Sequence, residues 1–151
     1  MFYVVMLKII YGDTNLFYDW VDWRKGGVFG QHNGEAAQNL IVRLREGEYC
    51  LAISSHLLWQ LEKHPKYAQC KELFDLLKKE GRLIRVESTA EDKAKASDLC
   101  STNNTEFEDA LHFVMAKKAG ATTIVTQNER HYACFRSMIK VSPPQMIDVL
   151  G

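Results

Sequence analysis

The chain has 151 residues, and its 19 Lys and Arg side chains balance 19 Asp and Glu, so the formal net charge is zero. This balance excludes a general attraction for phosphate backbones, and any nucleic-acid site must be a local basic patch. The content of 46% hydrophobic and 25% charged residues excludes a disordered chain and suits one folded domain with a real core.

Strand and helix patterns alternate along the chain. The predicted strands lie at about 7–11, 49–54, 82–88, 121–126 and 136–142. The predicted helices lie at 13–23, 35–47, 55–64, 66–81, 89–101, 106–120 and 143–151, and a glycine-rich loop is predicted at 24–34. The helix at 35–47 is expected to have Ala36, Leu40, Val42 and Leu44 on its apolar face. Strands separated by helices imply a doubly wound, mostly parallel sheet with helices on both faces. No repeat or linker interrupts the pattern, so we predict one domain over residues 1–151.

The opening stretch MFYVVMLKIIY is apolar, but it is too short for a membrane span and Lys8 interrupts it. No small-residue cleavage site follows it, which argues against a signal peptide. The four cysteines are far apart and form no C-x-x-C pair, so we expect reduced thiols. Together these features predict a cytoplasmic protein with no membrane association.

The predicted helix at 106–120 has an unusual distribution of acids. One side carries, at helical spacing, Glu106, Asp109, Phe113, Ala116 and Gly120. The polar residues Glu108, His112 and Lys118 fall elsewhere, and we expect them to face solvent. Acids suit a helix N-terminus in any protein, but a carboxylate near an apolar face needs a cation, a metal or several hydrogen bonds.

Polar side chains also follow three of the predicted strands. They are Asp13, Thr14 and Asn15 after the first, Ser54 and Ser55 after the second, and Thr126, Gln127 and Asn128 after the fourth. Sites in parallel sheets lie beyond the carboxyl ends of the strands, so we expect these groups to converge with Glu106 and Asp109 on one edge. Taken singly, Asp13 could form an Asx-turn and Asn128 could cap a helix.

Converging carboxylates without a His or Cys ligand set suit Mg²⁺ or Mn²⁺, which prefer oxygen ligands. Asp13 and Asp109 are the predicted direct ligands, and Glu106 is a ligand or holds a metal-bound water. Asn128 is predicted to bind through its amide oxygen or to orient a water. Supporting hydrogen bonds are expected from Asn15, Ser54 and Thr126, and phosphate contacts from Arg24 and Lys25.

These residues resemble a known family. The stretch GDTNLFYDW looks like the opening of a PIN domain, in which a first strand ends in Asp-Thr-Asn. The stretch EFEDALHFVMAKKAGATTIVTQN, followed by aromatic residues and Val141-Ser142-Pro143, looks like the C-terminal half of the family. The resemblance covers nearly the whole chain and is strongest over residues 10–16 and 107–143.

The resemblance implies a three-layer α/β/α fold and a ribonuclease that depends on Mg²⁺ or Mn²⁺. It also implies a homodimer and the toxin role in a toxin–antitoxin pair, with RNA and a small antitoxin-like protein as partners. By motif, Asp13 matches the first acid of the family, Asp109 the central acid, and Glu106 an acid three residues before it. Asn128 stands where members carry Asp or Asn.

Two residues depart from the family pattern. Gln60 stands where the helix after the second strand usually has Glu, and His131 stands where an Asp typically precedes the aromatic residue. Gln60 lacks the negative charge, although its carbonyl oxygen can coordinate a metal. Both departures are expected to weaken metal binding.

Three functions compete on this reading. The first is a metal-dependent endoribonuclease. The second is a PIN-like module with a weakened site that binds RNA or protein without cutting. The third, a phosphoacceptor receiver domain, needs an Asp at the end of the central strand, but the strand YCLAIS is followed by Ser55.

Overall fold

The computed structural model describes residues 6–24 and 32–148 of the chain. Its strands are β1 (Lys8–Gly12), β2 (Tyr49–Ser54), β3 (Leu83–Val86), β4 (Thr123–Val125) and β5 (Lys140–Ser142). Its α-helices are α1 (Thr14–Val21), α2 (Asn33–Arg45), α3 (Ser55–Leu61), α4 (Tyr67–Lys79), α5 (Ala90–Asn103) and α6 (Phe107–Lys118). Two 3₁₀ turns span Glu129–Phe135 and Pro144–Met146.

The five strands form one parallel sheet in the order β3-β2-β1-β4-β5. The central strand β1 pairs with β2 on one side, where Ile10 lies opposite Leu51, and with β4 on the other, where Ile10 lies opposite Thr123. The chain leaves β1 in one direction and later returns to its other side at β4. The topological switch point therefore lies beyond the ends of β1 and β4. The prediction of a doubly wound parallel α/β/α fold is confirmed.

Side chains from the two faces of the sheet enter separate cores, because successive residues of a strand point to opposite faces. Ile10 packs with α1, α2, α3 and α4 on one face. Tyr11 packs with α5 and α6 on the other, where the rings of Phe113 and Phe135 stack with centroids 4.2 Å apart. The sheet edge that carries the polar residues thus rests on packed layers on both sides.

Two local predictions about the elements differ from the structure. Helix α2 buries Ala37, Leu40, Ile41 and Leu44, so Val42, which we expected on the apolar face, is exposed. The four buried residues follow the spacing i, i+3, i+4, i+7 of one helix face, and Ile41 occupies the position on that face that we expected for Val42. Within the described residues, the helix predicted at 143–151 is a single 3₁₀ turn that starts after Pro143, and residues 149–151 lie outside that part of the chain. Among the described residues no helix is both long and apolar enough to cross a membrane.

Gly34, in the first turn of α2, lies too close to another part of the backbone for a side chain. A Cβ at this position would lie 2.7 Å from the Cα of Trp23 and 3.0 Å from the carbonyl oxygen of Asp19. The amide of Gly34 also donates to the carbonyl of Arg24 at 2.8 Å. This contact holds the start of α2 against the end of α1.

We therefore expect Gly34→Ala to be destabilising, although the same change in most helices is favourable. The added methyl group should force the two backbones apart and lower the free energy of unfolding by roughly 1–3 kcal/mol. This cost exceeds the stabilisation of about 1 kcal/mol that replacing Gly by Ala usually gives inside a helix. Urea denaturation of both proteins checks this. Asn39→Ala, on the exposed side of the same helix, is the control and should not destabilise. A Gly34→Ala protein as stable as the wild type would contradict the prediction.

Candidate functional site

Asp13 directly follows β1 and is the N-cap of α1. Its Oδ1 accepts a hydrogen bond from the amide of Leu16 at 3.1 Å, which makes Asp13 the N-cap of α1 and not only the Asx-turn of the simpler interpretation. Its Oδ2 accepts from Thr126 Oγ1 at 2.8 Å and more weakly from the Tyr132 hydroxyl at 3.4 Å. The side chain is only 2% exposed. Asp13 is therefore both a structural cap and a buried carboxylate at the switch point.

Burial has a strong effect on the acidity of Asp13. It raises the pKa of the carboxyl to about 6, against the opposing hydrogen bonds from Thr126 and Leu16, and the charge of Asp109 adds to the rise. A buried anion whose pKa is raised in this way is one that a nearby cation would stabilise.

Asp109 lies in the first turn of α6 and faces the same region. Its side chain is 17% exposed, and His131 Nδ1 is 3.6 Å from Oδ2. Burial raises the pKa of Asp109, His131 opposes that rise, and the charges of Glu106 and Glu108 add to it. Lys117 and Lys118 lie two turns further along α6, and the basic side chain that the structure places beside Asp109 is the imidazole of His131.

The phenol of Tyr132 connects the two carboxylates. The side chain is fully buried, and its hydrogen bonding lowers the pKa of both Asp13 and Asp109. Burial, followed by the charges of those two acids, holds the pKa of Tyr132 well above its usual range. The hydroxyl therefore stays protonated and donates. Sequence reasoning missed this residue, for which the only signal was the aromatic position after the Thr-Gln-Asn stretch.

Glu106 and Asn128 border the site without making side-chain caps. Glu106 precedes α6 and is exposed, and Asn128 precedes the 3₁₀ turn at Glu129–Phe135. The amide of Asn128 donates to Thr126 Oγ1 at 3.0 Å, which orients the same hydroxyl that binds Asp13. Glu106 and Asp109 line a cavity of about 410 Å³ together with His131. Arg130 also lines this cavity.

Asn15 and Ser54, which we predicted to support the ligands, lie differently. Asn15 is half-buried in the first turn of α1, and its side chain makes no hydrogen bond within the described part of the chain. Ser54 Oγ caps α3 through the amide of Leu57 and bonds the Tyr11 hydroxyl at 2.9 Å. Ser54 thus supports Tyr11 and the start of α3, and its hydroxyl makes no hydrogen bond to Asp13 or Asp109 in the described part of the chain.

Gln60 does not have a free carbonyl oxygen, contrary to the expectation that this atom could coordinate a metal. Its Oε1 accepts from His112 Nε2 at 3.0 Å and from the Thr14 hydroxyl. Its Nε2 donates to Glu108 Oε2 at 3.0 Å. The amide is engaged at both ends, because α3 packs its C-terminal turn against α1 and α6.

The expectation that His112 faces solvent is wrong. The ring is only 3% exposed, and its Nδ1 lies 2.7 Å from the Tyr11 hydroxyl. Burial, with a smaller effect of His56, lowers the pKa of His112 to about 3, so the ring is neutral. The reason is that α6 is enclosed on several sides: every residue from 110 to 116 is buried.

The basic candidates for phosphate contact are less favourably placed. The guanidinium of Arg24 lies 3.8 Å from carboxylate oxygens of Asp19 and Asp22, and it also lies over the ring of Tyr18. Its charge is therefore shared with two acids. Lys25 lies outside the described residues.

The donor set fits a hydrated divalent ion better than an enclosed one. Across residues 6–24 and 32–148, no three His, Cys, Asp or Glu side chains form a cluster that could hold a metal. Mg²⁺ keeps several waters and is commonly held by one or two carboxylates, which Asp13 and Asp109 can supply. Gln60 and His131 add no negative charge to these two.

The fold and the carboxylates at the carboxyl ends of β1 and β4 define a class of protein. Its members are doubly wound α/β proteins with paired carboxylates at the switch point of the sheet. The sequence model of the PIN domain matches residues 10–135, a range that includes Asp13, Gln60, Asp109 and Asn128. The chain therefore belongs to the PIN domain family. No sequence among the curated proteins matches it.

Three solved structures with a similar fold come from bacteria. VapBC2 from Rickettsia felis, bound to a DNA fragment from its promoter, is 19% identical with a TM-score of 0.55, covering 89% of this chain and 98% of its own. VapBC-1 from nontypeable Haemophilus influenzae is 13% identical with a TM-score of 0.58, covering 90% and 98%. VapC20 from Mycobacterium tuberculosis, described as a toxin that cleaves the sarcin-ricin loop, is 19% identical with a TM-score of 0.50, covering 76% and 86%. At these identities the likeness concerns the fold.

Proposed function

We propose that this protein is an endoribonuclease that uses Mg²⁺ or Mn²⁺ to hydrolyse RNA phosphodiesters. The observation that carries the proposal is the buried carboxylate of Asp13 and the half-buried carboxylate of Asp109, which both interact with the Tyr132 hydroxyl at the switch point. Two desolvated acids whose pKa values are both raised are costly to the fold and suit a site that receives a cation. Membership of the PIN family supports the same chemistry.

Asp13 and Asp109 would hold the ion, and Glu106 would hold a water in its shell. When bound, such an ion activates a water and stabilises the charge on the leaving oxygen. The chain's own part is orientation. Thr126 and the amide of Leu16 fix the two oxygens of Asp13, and the Tyr132 hydroxyl interacts with both Asp13 and Asp109.

The proposal extends to the biological setting. Two of the similar structures are VapBC proteins, and a third is a toxin that cleaves the sarcin-ricin loop. By analogy we propose that this chain is the toxin of a toxin–antitoxin pair, acts in the cytoplasm, forms a homodimer and is inhibited by a small antitoxin-like protein. Exposed apolar side chains such as Trp59 and Met138 offer surface that a partner would cover.

The test of the nuclease is cleavage of a mixed RNA pool by the wild type. We expect cutting with Mn²⁺ or Mg²⁺, loss of cutting with excess EDTA, and its return when Mn²⁺ exceeds the chelator, because the two carboxylates alone supply no electrophile. Ca²⁺ is the matched control, since it prefers more ligands and a looser geometry than this site offers. Cutting that persists in EDTA would contradict the proposal.

One observation favours the second candidate, a module that binds RNA without cutting. Gln60 is neutral and both ends of its amide are engaged, so it adds nothing to the affinity for a metal. If the RNA pool remains intact at every metal concentration while the protein still retards RNA in EDTA, this second function replaces the first.

A further inference from the structure

The carboxylate of Glu108 lies beside Gln60, where the family usually has an acid. Gln60 Nε2 donates to Glu108 Oε2 at 3.0 Å, and His56 Nε2 contacts the same oxygen. Gln60 belongs to α3 and Glu108 to α6, 48 residues apart in sequence. The negative charge that is absent from residue 60 is therefore present on its neighbour in space.

The hydrogen-bond network around Gln60 fixes which way its amide points. The Glu108 carboxylate only accepts, so Nε2 faces it and Oε1 faces the interior. Because Oε1 only accepts, the neutral ring of His112 carries its proton on Nε2 and donates. Its Nδ1 then accepts from the Tyr11 hydroxyl at 2.7 Å. Each donor and acceptor in this series is matched, and Glu108 is its outer end.

An acid at residue 60 would not be compatible with Glu108 where it now stands. A carboxylate at the Gln60 position would bring two negative charges to within about 3 Å, the distance at which paired carboxylates cannot both ionise easily. The neutral amide at residue 60 and the acid at residue 108 therefore belong together. Compared with the usual family pattern, the negative charge lies on α6 in place of α3 and is still present.

Glu108 and Asp109 line neighbouring cavities, but the charge of Glu108 acts on this candidate metal ligand. It directly precedes Asp109, and its charge contributes to the raised pKa of that carboxyl. Its own side chain is half exposed, so its oxygens can reach solvent and a hydrated ion. Within the described residues no three His, Cys, Asp or Glu side chains form a cluster that could hold a metal, so we assign Glu108 an action through water and not a direct ligand bond.

We propose that Glu108 supplies the negative charge that PIN domains usually carry on the helix after the second strand, and that Gln60 and His56 are positioning residues for its carboxylate. This inference rests on the proposed function, because it concerns the same metal site.

The test is Mn²⁺ binding measured by calorimetry on the intact chain, without RNA. The set comprises the wild type, Glu108→Gln, Gln60→Glu, the double variant Gln60→Glu/Glu108→Gln and the control Glu72→Gln. Glu72 is an exposed acid on α4, so its variant matches the charge change away from the site.

We expect Glu108→Gln to weaken Mn²⁺ binding about tenfold, the lower range for groups that act through metal-bound water. The double variant should recover most of that loss, because residues 60 and 108 together again carry one carboxylate, which now lies at residue 60. Glu72→Gln should bind as the wild type does. Circular dichroism confirms that each variant is folded, and the half-exposed position of Glu108 makes a folding failure unexpected.

Unchanged Mn²⁺ affinity in Glu108→Gln, or a double variant no better than that single variant, would overturn the inference. Measuring Asp109→Asn in the same series distinguishes failure of the role of Glu108 from failure of the proposed metal site. If Asp109→Asn loses Mn²⁺ and Glu108→Gln does not, the metal site stands and the role of Glu108 fails. If the wild type itself binds no Mn²⁺, the proposed function fails and this inference fails with it.

Discussion

Asp109→Asn should reduce metal-dependent RNA cleavage at least about 100-fold, since even groups one shell further from a metal change activity 10- to 100-fold. The substitution keeps the shape of the side chain and removes its charge. Asp13 would then be the one remaining buried carboxylate at the switch point, with the exposed Glu106 and Glu108 outside it. The expected loss is in kcat and in Mn²⁺ affinity together.

The matched control for Asp109→Asn is Asp75→Asn on α4. Asp75 is 63% exposed and pairs with Lys71 one turn earlier on the same helix, so its loss should leave cleavage unchanged. Thermal unfolding of both variants guards against a folding effect. Asp109 carries a raised pKa, so its neutral replacement should not lower the melting temperature. Cleavage by Asp109→Asn within a few-fold of the wild type would remove this residue from the site.

The parts of the site that follow from local sequence could be predicted. An Asp directly after an apolar strand caps the next helix, and Asp13 does so. An acid in the first turn of a helix that feeds the next strand lies at the same edge of the sheet, and Asp109 does so. Each of these positions depends on the period of a strand or helix and on the order of elements in a parallel sheet, and both are visible in the sequence.

The contacts that complete the site could not be predicted, because they join residues far apart in the chain. Tyr132 reaches Asp13 across 119 positions, and Tyr11 reaches His112 across 101. Nothing in a strand ending in Tyr or a helix containing His indicates that the two will meet. Such pairs are set by how layers pack, which a single sequence does not report.

His112 illustrates why the helix pattern was misread. We treated α6 as amphipathic, with one buried side, and assigned a His to the other side. The helix packs on the sheet and against α5, and the ring of His112 finds Tyr11 and Gln60 as hydrogen-bond partners in the interior. A polar residue can be buried when both of its nitrogens are satisfied, and hydropathy alone cannot show this.

Asp13→Asn should make the metal-free protein more stable at pH 8 while it abolishes cleavage. The variant keeps the cap, since an Asn side chain also accepts from the amide of Leu16, and it removes a buried charge. We expect the free energy of unfolding at pH 8 to rise by roughly 1–2 kcal/mol, below the limit set by 1.36 kcal/mol per pKa unit. Stability gained with the loss of activity is the pattern expected of a functional carboxylate.

The raised pKa of Asp13 determines how the difference in stability between the variant and the wild type changes with pH. The pKa of Asp13 rises from 3.8 in the unfolded chain to about 6 in the fold, so the folded state holds its proton more tightly. Stability from this group is fully present below pH 3.8 and is lost as the pH rises through about 6. The difference between Asp13→Asn and the wild type should therefore grow from pH 4 to pH 7 and then level off. Asp19, whose pKa burial also raises to about 6, is present in both proteins, but the charge of Asp13 adds to its rise. Removing that charge should therefore lower the pKa of Asp19 and add to the same difference. Urea denaturation at each pH in EDTA measures the difference, and a difference that stays constant across this range would mean that Asp13 is not a strained buried acid.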